Sequence, residues 1–185
     1  MTADPARSAL DGRAGDLPRL GARELPFLAQ ADVRVARSEA DPLPPFVPLE
    51  PNTWVGWVGR DVLWLGPDEW LVLDGTETTE PGGLVAELRT LLSGTHHSVV
   101  DVSANRSVLE LTGDDRHELL PMGCGLDLHP RSWRDGMCAQ TLLAKVPVIL
   151  QERMDSTRLI VRASFADYLV DWLLHLADSG ESSGP

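Results

Sequence analysis

The chain has 185 residues, 43% of them hydrophobic and 24% charged, and a formal net charge of −12. That length supports one domain with a sizeable core, because about 150 residues bury roughly 70% of the surface their unfolded chain exposes. The acidic balance argues against nucleic acid, which needs basic side chains to displace phosphate counterions, and against anionic membranes.

In chain order, residues 1–50 hold seven prolines, at Pro5, Pro18, Pro26, Pro42, Pro44, Pro45 and Pro48, among polar and charged residues. Proline fixes φ and biases its predecessor towards extended geometry. This stretch is expected to be an N-terminal arm with a short structured piece near residues 24–31. It is either a disordered tail or a strap that orders on a partner.

From Pro51 a single α+β domain is expected, reaching residue 178, with a polar tail over 179–185. Residues 54–58 and 62–65 are short runs of β-formers. Gly66-Pro67-Asp68-Glu69 suits a turn into a third strand over 70–73. Leu84, Leu88, Leu91 and Leu92 recur at helical spacing, and Gly94 stands where that helix should stop. Residues 98–102 and 107–111 read as strands, and 114–120 as a short helix. Three more strands are expected over 139–145, 148–151 and 158–162. A final helix follows, with Ser164 as N-cap and Phe165, Leu169, Trp172, Leu173 and Leu176 as its apolar stripe. The expected fold is a mostly antiparallel sheet with helices on one face. Between residues 70 and 145 its strand–helix–strand order is ferredoxin-like.

No apolar run approaches the roughly 20 residues that cross a bilayer. No apolar stretch follows Met1-Thr2-Ala3-Asp4-Pro5-Ala6-Arg7 as in a secretory signal. Cys124 and Cys138 form no C-x-x-C pair and no disulfide framework, although they could meet in space. A reducing, cytoplasmic setting is the simple reading. Lys145 is the only lysine, so the basic residues are nearly all arginine.

Sequence signals for chemistry are sparse. The chain has no G-x-G-x-x-G, G-x-S-x-G or H-E-x-x-H. Gly82-Gly83 precedes a helix, but no P-loop lysine or hydroxyl follows it. His96 and His97 are adjacent and would point to opposite faces of a strand. His117, His129 and His175 are scattered. Asp101 interrupts the apolar run Val99-Val100-Asp101-Val102, where an unpaired carboxyl would be pushed up in pKa. Arg106, just past the bend, could pair with it. Equally, Asp101 could cap the Ser103-Ala104-Asn105 turn.

Five stretches, taken together, carry a resemblance. They are Leu65-Gly66-Pro67-Asp68-Glu69-Trp70-Leu71-Val72-Leu73, the Val102–Gly113 segment with Ser103-Ala104-Asn105-Arg106 at its head, and Leu119-Leu120-Pro121-Met122-Gly123-Cys124-Gly125-Leu126-Asp127-Leu128. Gly136-Met137-Cys138-Ala139-Gln140-Thr141 and Arg162-Ala163-Ser164-Phe165-Ala166-Asp167-Tyr168-Leu169 complete them. In order and spacing they resemble the gamma subunit of heterotetrameric sarcosine oxidase over about residues 54–177. The resemblance implies a fold like that of the folate-binding aminomethyltransferases (the glycine-cleavage T-protein) and a complex that converts sarcosine and oxygen to glycine and hydrogen peroxide. The one-carbon unit passes to tetrahydrofolate or leaves as formaldehyde. It further implies FAD and FMN on the beta subunit, NAD on the alpha subunit and zinc on the delta subunit. The gamma subunit, non-catalytic and without a prosthetic group, packs against alpha. No catalytic or metal residue is carried over. The alternative is a free-standing folate-binding or aminomethyl-transfer protein, for which Asp101, Ser103 and Arg106 are the candidate ligands. Because tryptophan is enriched in interface anchors, some of Trp54, Trp57, Trp64 and Trp133 are expected to be exposed until a partner covers them.

Overall fold

The computed structural model describes residues 7–36, 44–75 and 82–181. The chain forms two five-stranded antiparallel sheets. The N-sheet runs β3-β4-β5-β2-β6, from Trp54–Trp57, Arg60–Gly66, Glu69–Asp74, Ala29–Val35 and His97–Asp101. The C-sheet runs β1-β7-β10-β9-β8, from Ala22–Glu24, Arg106–Thr112, Ser156–Arg162, Val146–Arg153 and Cys138–Leu143. Among the described residues three α-helices accompany them: α1 (Gly83–Leu91), the single turn α2 (Arg116–Leu119) and α3 (Ala163–Glu181).

The expected α+β, antiparallel character holds, but there are two sheets, and their alternating faces explain why. Leu63, Leu65, Leu71 and Leu73 of the N-sheet meet Val108, Cys138, Ile149 and Ile160 of the C-sheet in one buried cluster. The residues between them in sequence point the other way. Val33, Val35, Val72 and Val99 pack under Leu84, Val85, Leu88 and Leu92 of the α1 segment. Leu109, Leu150, Leu159 and Val161 pack under Ala166, Leu169, Val170, Leu173 and Leu174 of α3. The layers are therefore α3, C-sheet, N-sheet and α1. Each sheet has its helix on its outer face.

β5, α1 and β6 form a ferredoxin-like split unit, since β5 and β6 both lie antiparallel to β2, which sits between them. The rest of the order expected to be ferredoxin-like is divided, because β7 and β8 belong to the other sheet.

The boundary expected at Glu50 does not separate an arm from the domain. β2 pairs on both sides, and Ala31, Val33 and Val35 are fully buried. β1 pairs with β7, and Leu10, Leu17 and Leu20 join the core beneath α3. Strands of three and seven residues that pair only with distant sequence give little periodicity, and the prolines concealed them. The expected tail is corrected as well: α3 continues to Glu181, and residues 182–185 lie outside the described region.

Two smaller expectations also change. Ser164 lies inside α3, which starts at Ala163 directly from β10. The stripe of α3 is turned so that Phe165 is exposed and Trp172 half-buried, while Leu91 leaves the buried face of α1. Trp70 is 1% exposed and donates through Nε1 to the Pro48 carbonyl at 3.0 Å.

Candidate functional site

The three residues singled out at the bend lie where β6 of the N-sheet gives way to β7 of the C-sheet. Asp101 ends β6 and is exposed. Its Oδ1 accepts from the Ser103 backbone N–H at 2.9 Å and from the Ser103 hydroxyl at 2.6 Å. Those two hydrogen bonds hold the Asp101 carboxyl below its ordinary pKa. A charged acceptor that organises its own turn is the local pattern that favours Asp at such bends. Ser103 is tied down further, its Oγ accepting from the Gln30 N–H at 2.9 Å.

Arg106 does not pair with Asp101; among the described residues no ion pair joins them. Arg106 stands on the inner face of the C-sheet beside Arg162, its partner in register. The Gln30 side-chain amide donates to the Arg106 carbonyl at 3.1 Å. Burial pulls the Arg106 guanidinium below its ordinary pKa, against the charge of Asp32 across the sheets. Burial, with Glu69 next to it, pushes Asp32 up. One guanidinium nitrogen of Arg106 and Oε1 of Gln30 are buried without a hydrogen-bond partner. Ser103, Arg106, Ser107 and Ala163 wall a cavity of about 460 Å³, closed on its far side by Glu24, Pro26 and Phe27. Asp101 instead faces a separate open depression of about 400 Å³ formed by the bend itself. The fold thus brings Ser103 and Arg106 to one cavity and leaves Asp101 outside it.

Two polar sets inside the fold were not singled out from the sequence. Glu152 is buried, with Oε2 accepting from Trp133 Nε1 at 2.8 Å and from the Thr157 hydroxyl. Its other oxygen lies 3.5 Å from the buried Arg116 guanidinium. Between the sheets, Asp61 accepts from Gln151, Arg153 and Arg158 at 2.6–3.0 Å. Arg158 also reaches Glu110, which takes Arg23 of β1 at 2.7 Å. Burial pushes Glu110 up, but its two arginine partners outweigh that and hold it below the ordinary range. The signal was available for Glu110, which interrupts an apolar run just as Asp101 does, whereas Glu152 stands in the polar stretch Gln151-Glu152-Arg153.

These groups join elements to one another and present no activated nucleophile. Cys138 is buried between the sheets, its thiol pushed up to about 12 by burial. Cys124 lies in the cluster on the opposite face of the C-sheet, so the two thiols do not meet. Among the described residues no three His, Cys, Asp or Glu side chains are grouped to hold a metal. No described helix is long and apolar enough to cross a membrane.

Residues 49–180 match the model of the sarcosine oxidase, gamma subunit family. The sarcosine oxidase subunit gamma of Corynebacterium sp. strain P-1 is 37% identical over 160 residues, covering 82% of this chain and 77% of that one. The chain belongs to the sarcosine oxidase gamma subunit family. An Arthrobacter sp. member of that family is 40% identical over 117 residues, 63% of this chain and 56% of its own length. A chain of the heterotetrameric sarcosine oxidase from Corynebacterium sp. U-96, solved with pyrrole 2-carboxylate, superposes with a TM-score of 0.83 at 30% identity. That superposition covers 98% of this chain and 99% of the other, so it takes in the N-terminal strands that the family model leaves out. The glycine cleavage aminomethyltransferase T of Bartonella henselae shares the fold: TM-score 0.60, 12% identity, 87% of this chain and 48% of that one.

Proposed function

We propose that this gamma subunit is a non-catalytic structural part of a cytoplasmic, heterotetrameric sarcosine oxidase, packing against the alpha subunit in a complex that also holds beta and delta. The complex oxidises sarcosine with oxygen to glycine and hydrogen peroxide, its one-carbon unit passing to tetrahydrofolate or leaving as formaldehyde. FAD, FMN, NAD and zinc belong to the other subunits. The observation that carries this reading is the end-to-end superposition on a chain of the Corynebacterium heterotetramer. The ion pairs of the interior support it, because Glu152, Asp61 and Glu110 are each taken up by neighbouring strands and loops.

The test is purification of the chain alone and from its native host. Alone it should be colourless, metal-free and inactive on sarcosine; from the host it should bring flavin-bearing subunits with it. Stoichiometric flavin or zinc on the isolated chain would sink the reading. The 460 Å³ cavity beside Arg106, with its unpartnered guanidinium nitrogen, is what favours the second reading, a folate-binding protein. Calorimetric titration of the isolated chain with tetrahydrofolate separates the two: heat of binding that disappears in Arg106→Ala would favour the second.

A further inference from the structure

Sheet edges invite other strands, and proteins blunt them with charge, proline or cover. Three of the four edges here are blunted. β1 carries Arg23 and Glu24, β6 ends on Asp101, and β8 has Cys124 bridged opposite Leu143. β3 differs. It reads Trp54-Val55-Gly56-Trp57, pairs with β4 on one side, and has no charge or proline. Its first N–H donates to the Gly136 carbonyl at 2.9 Å, and among the described residues no strand pairs with the edge beyond that point.

Gly56 in β3 and Val58 just after it are not accounted for by contacts among the described residues. Gly56 sits mid-strand, outside the positive-φ region, and a Cβ placed there would meet nothing within 4 Å among the described residues. Glycine in a strand weakens it, and one reason for it is the close approach of another backbone. Val58 and Gly59 then form the two-residue loop to β4, at φ 47° and 78°. Positive φ at both positions is the type I′ hairpin turn, which favours Asn or Asp at its first position and disfavours a β-branched residue there. Val58 is nonetheless 78% exposed. A strained residue with its apolar side chain in water gains little from packing among the described residues.

We propose that the β3 edge is a docking site for an extended segment of another subunit of the oxidase, which adds a strand beside Trp54–Trp57, lies against Gly56 and covers Val58. The proposal rests on the gamma-subunit reading. Leu49, Val55, Val58 and Met154 are exposed around this edge, and Arg153 stacks on Trp54 at 4.7 Å beside Met154. Together they offer of order 400 Å² of apolar surface, the size of a functional patch and close to the apolar share of one side of a standard interface. A second copy of this chain is a poorer occupant, because a net charge of −12 repels its like.

The test compares the native chain with Gly56→Val and Val58→Asn, each tagged, expressed in the native host and measured for affinity to the remaining subunits. Both variants should weaken assembly by about tenfold or more. The isolated Val58→Asn chain should melt above the parent, since the turn is relieved, and Gly56→Val should melt no lower. Native chain assembling while both variants assemble equally well overturns the β3 site and leaves the gamma-subunit reading intact. Failure of the native chain itself to assemble with the oxidase subunits overturns the reading, and the proposal with it. Concentration-dependent self-association of the isolated native chain, abolished by Gly56→Val, would assign the edge to a second copy instead.

Discussion

The N-sheet receives its last strand from nearby sequence: β5 runs into α1, and α1 returns β6 alongside β2. The C-sheet has the same meander of three strands, β8-β9-β10, and likewise sends its last strand into a helix on its outer face, α3. Its remaining position, beside β7, is filled instead by β1 from the other end of the chain. The β5–α1–β6 crossover spans few residues and costs little loop-closure entropy, whereas β2 and β1, the strands that the two sheets take from the N-terminal stretch, depend on long-range contacts. The same contrast governs what could be read from sequence. The meanders, their turns and α1 were legible because each is periodic over neighbouring residues. β1 and β2 were not, since their partners at Leu109–Leu111 and at Leu71–Leu73 lie far away along the chain.

The largest expected effect follows from that contrast. Deleting residues 1–50 removes β1 and the central strand β2, so the product should show no cooperative thermal transition by calorimetry. Deleting residues 1–26 removes β1 and the Leu10, Leu17 and Leu20 contacts but spares β2. That product should fold with a loss of several kcal/mol, at about 1.5–3 kcal/mol per large apolar side chain returned to water. Equal stability of the two deletions would mean that β2 does not hold the N-sheet together.

The halves also place charge differently. The C-sheet buries Glu152 against Arg116 and Trp133, whereas the N-sheet ties Arg60 to Asp74 and to Glu87, whose side chain is half in solvent. Glu152→Ala leaves Arg116 buried and unpaired, so it should cost about 3–5 kcal/mol in denaturant unfolding. Glu87→Ala, at the solvent side, should cost under about 1 kcal/mol. Similar losses for both would show that the Arg116–Glu152 pair is hydrated in solution.

Gly21 leads into β1 at φ 58°, where an added Cβ would meet the Thr112 carbonyl oxygen at 2.9 Å. Gly21→Ala should therefore lower stability by about 1–3 kcal/mol, through both strain and displacement of β1 from β7. A neutral result would mean that β1 is loosely held.

The smallest effect is expected at the bend between the halves. Asp101→Asn keeps an oxygen for Ser103 and should change stability by under about 0.5 kcal/mol at neutral pH. Because the folded-state pKa of Asp101 is depressed, its stabilising increment is present above the ordinary carboxylate pKa and is lost as pH falls through the folded value. The gap between native chain and variant should accordingly narrow in acid; a gap that widens would mean that the folded pKa of Asp101 is raised, as burial or a neighbouring carboxylate would raise it.

The bend also shows where site reading from sequence succeeds and fails. The turn-capping role open to Asp101 depends on two residues of separation and was readable. The orientation of Arg106 towards Asp32 depends on how two sheets face each other, and nothing near residue 106 encodes that. Glu110 and Glu152 are decided in the same way: nothing near either in sequence supplies its partner, and only the packed fold brings Arg158 or Arg116 to it.

Hydrogen exchange on the chain, free and within the assembled oxidase, tests most directly whether this is a folded unit whose surface another subunit completes. Amides of β2 should exchange as slowly as those of β4 and β5 in both states. Those of Gly56, which faces away from β4, and of Val58 in the turn should be fast in the free chain and slow in the complex. Rapid exchange throughout β2, or Gly56 and Val58 equally fast in an intact complex, would contradict it.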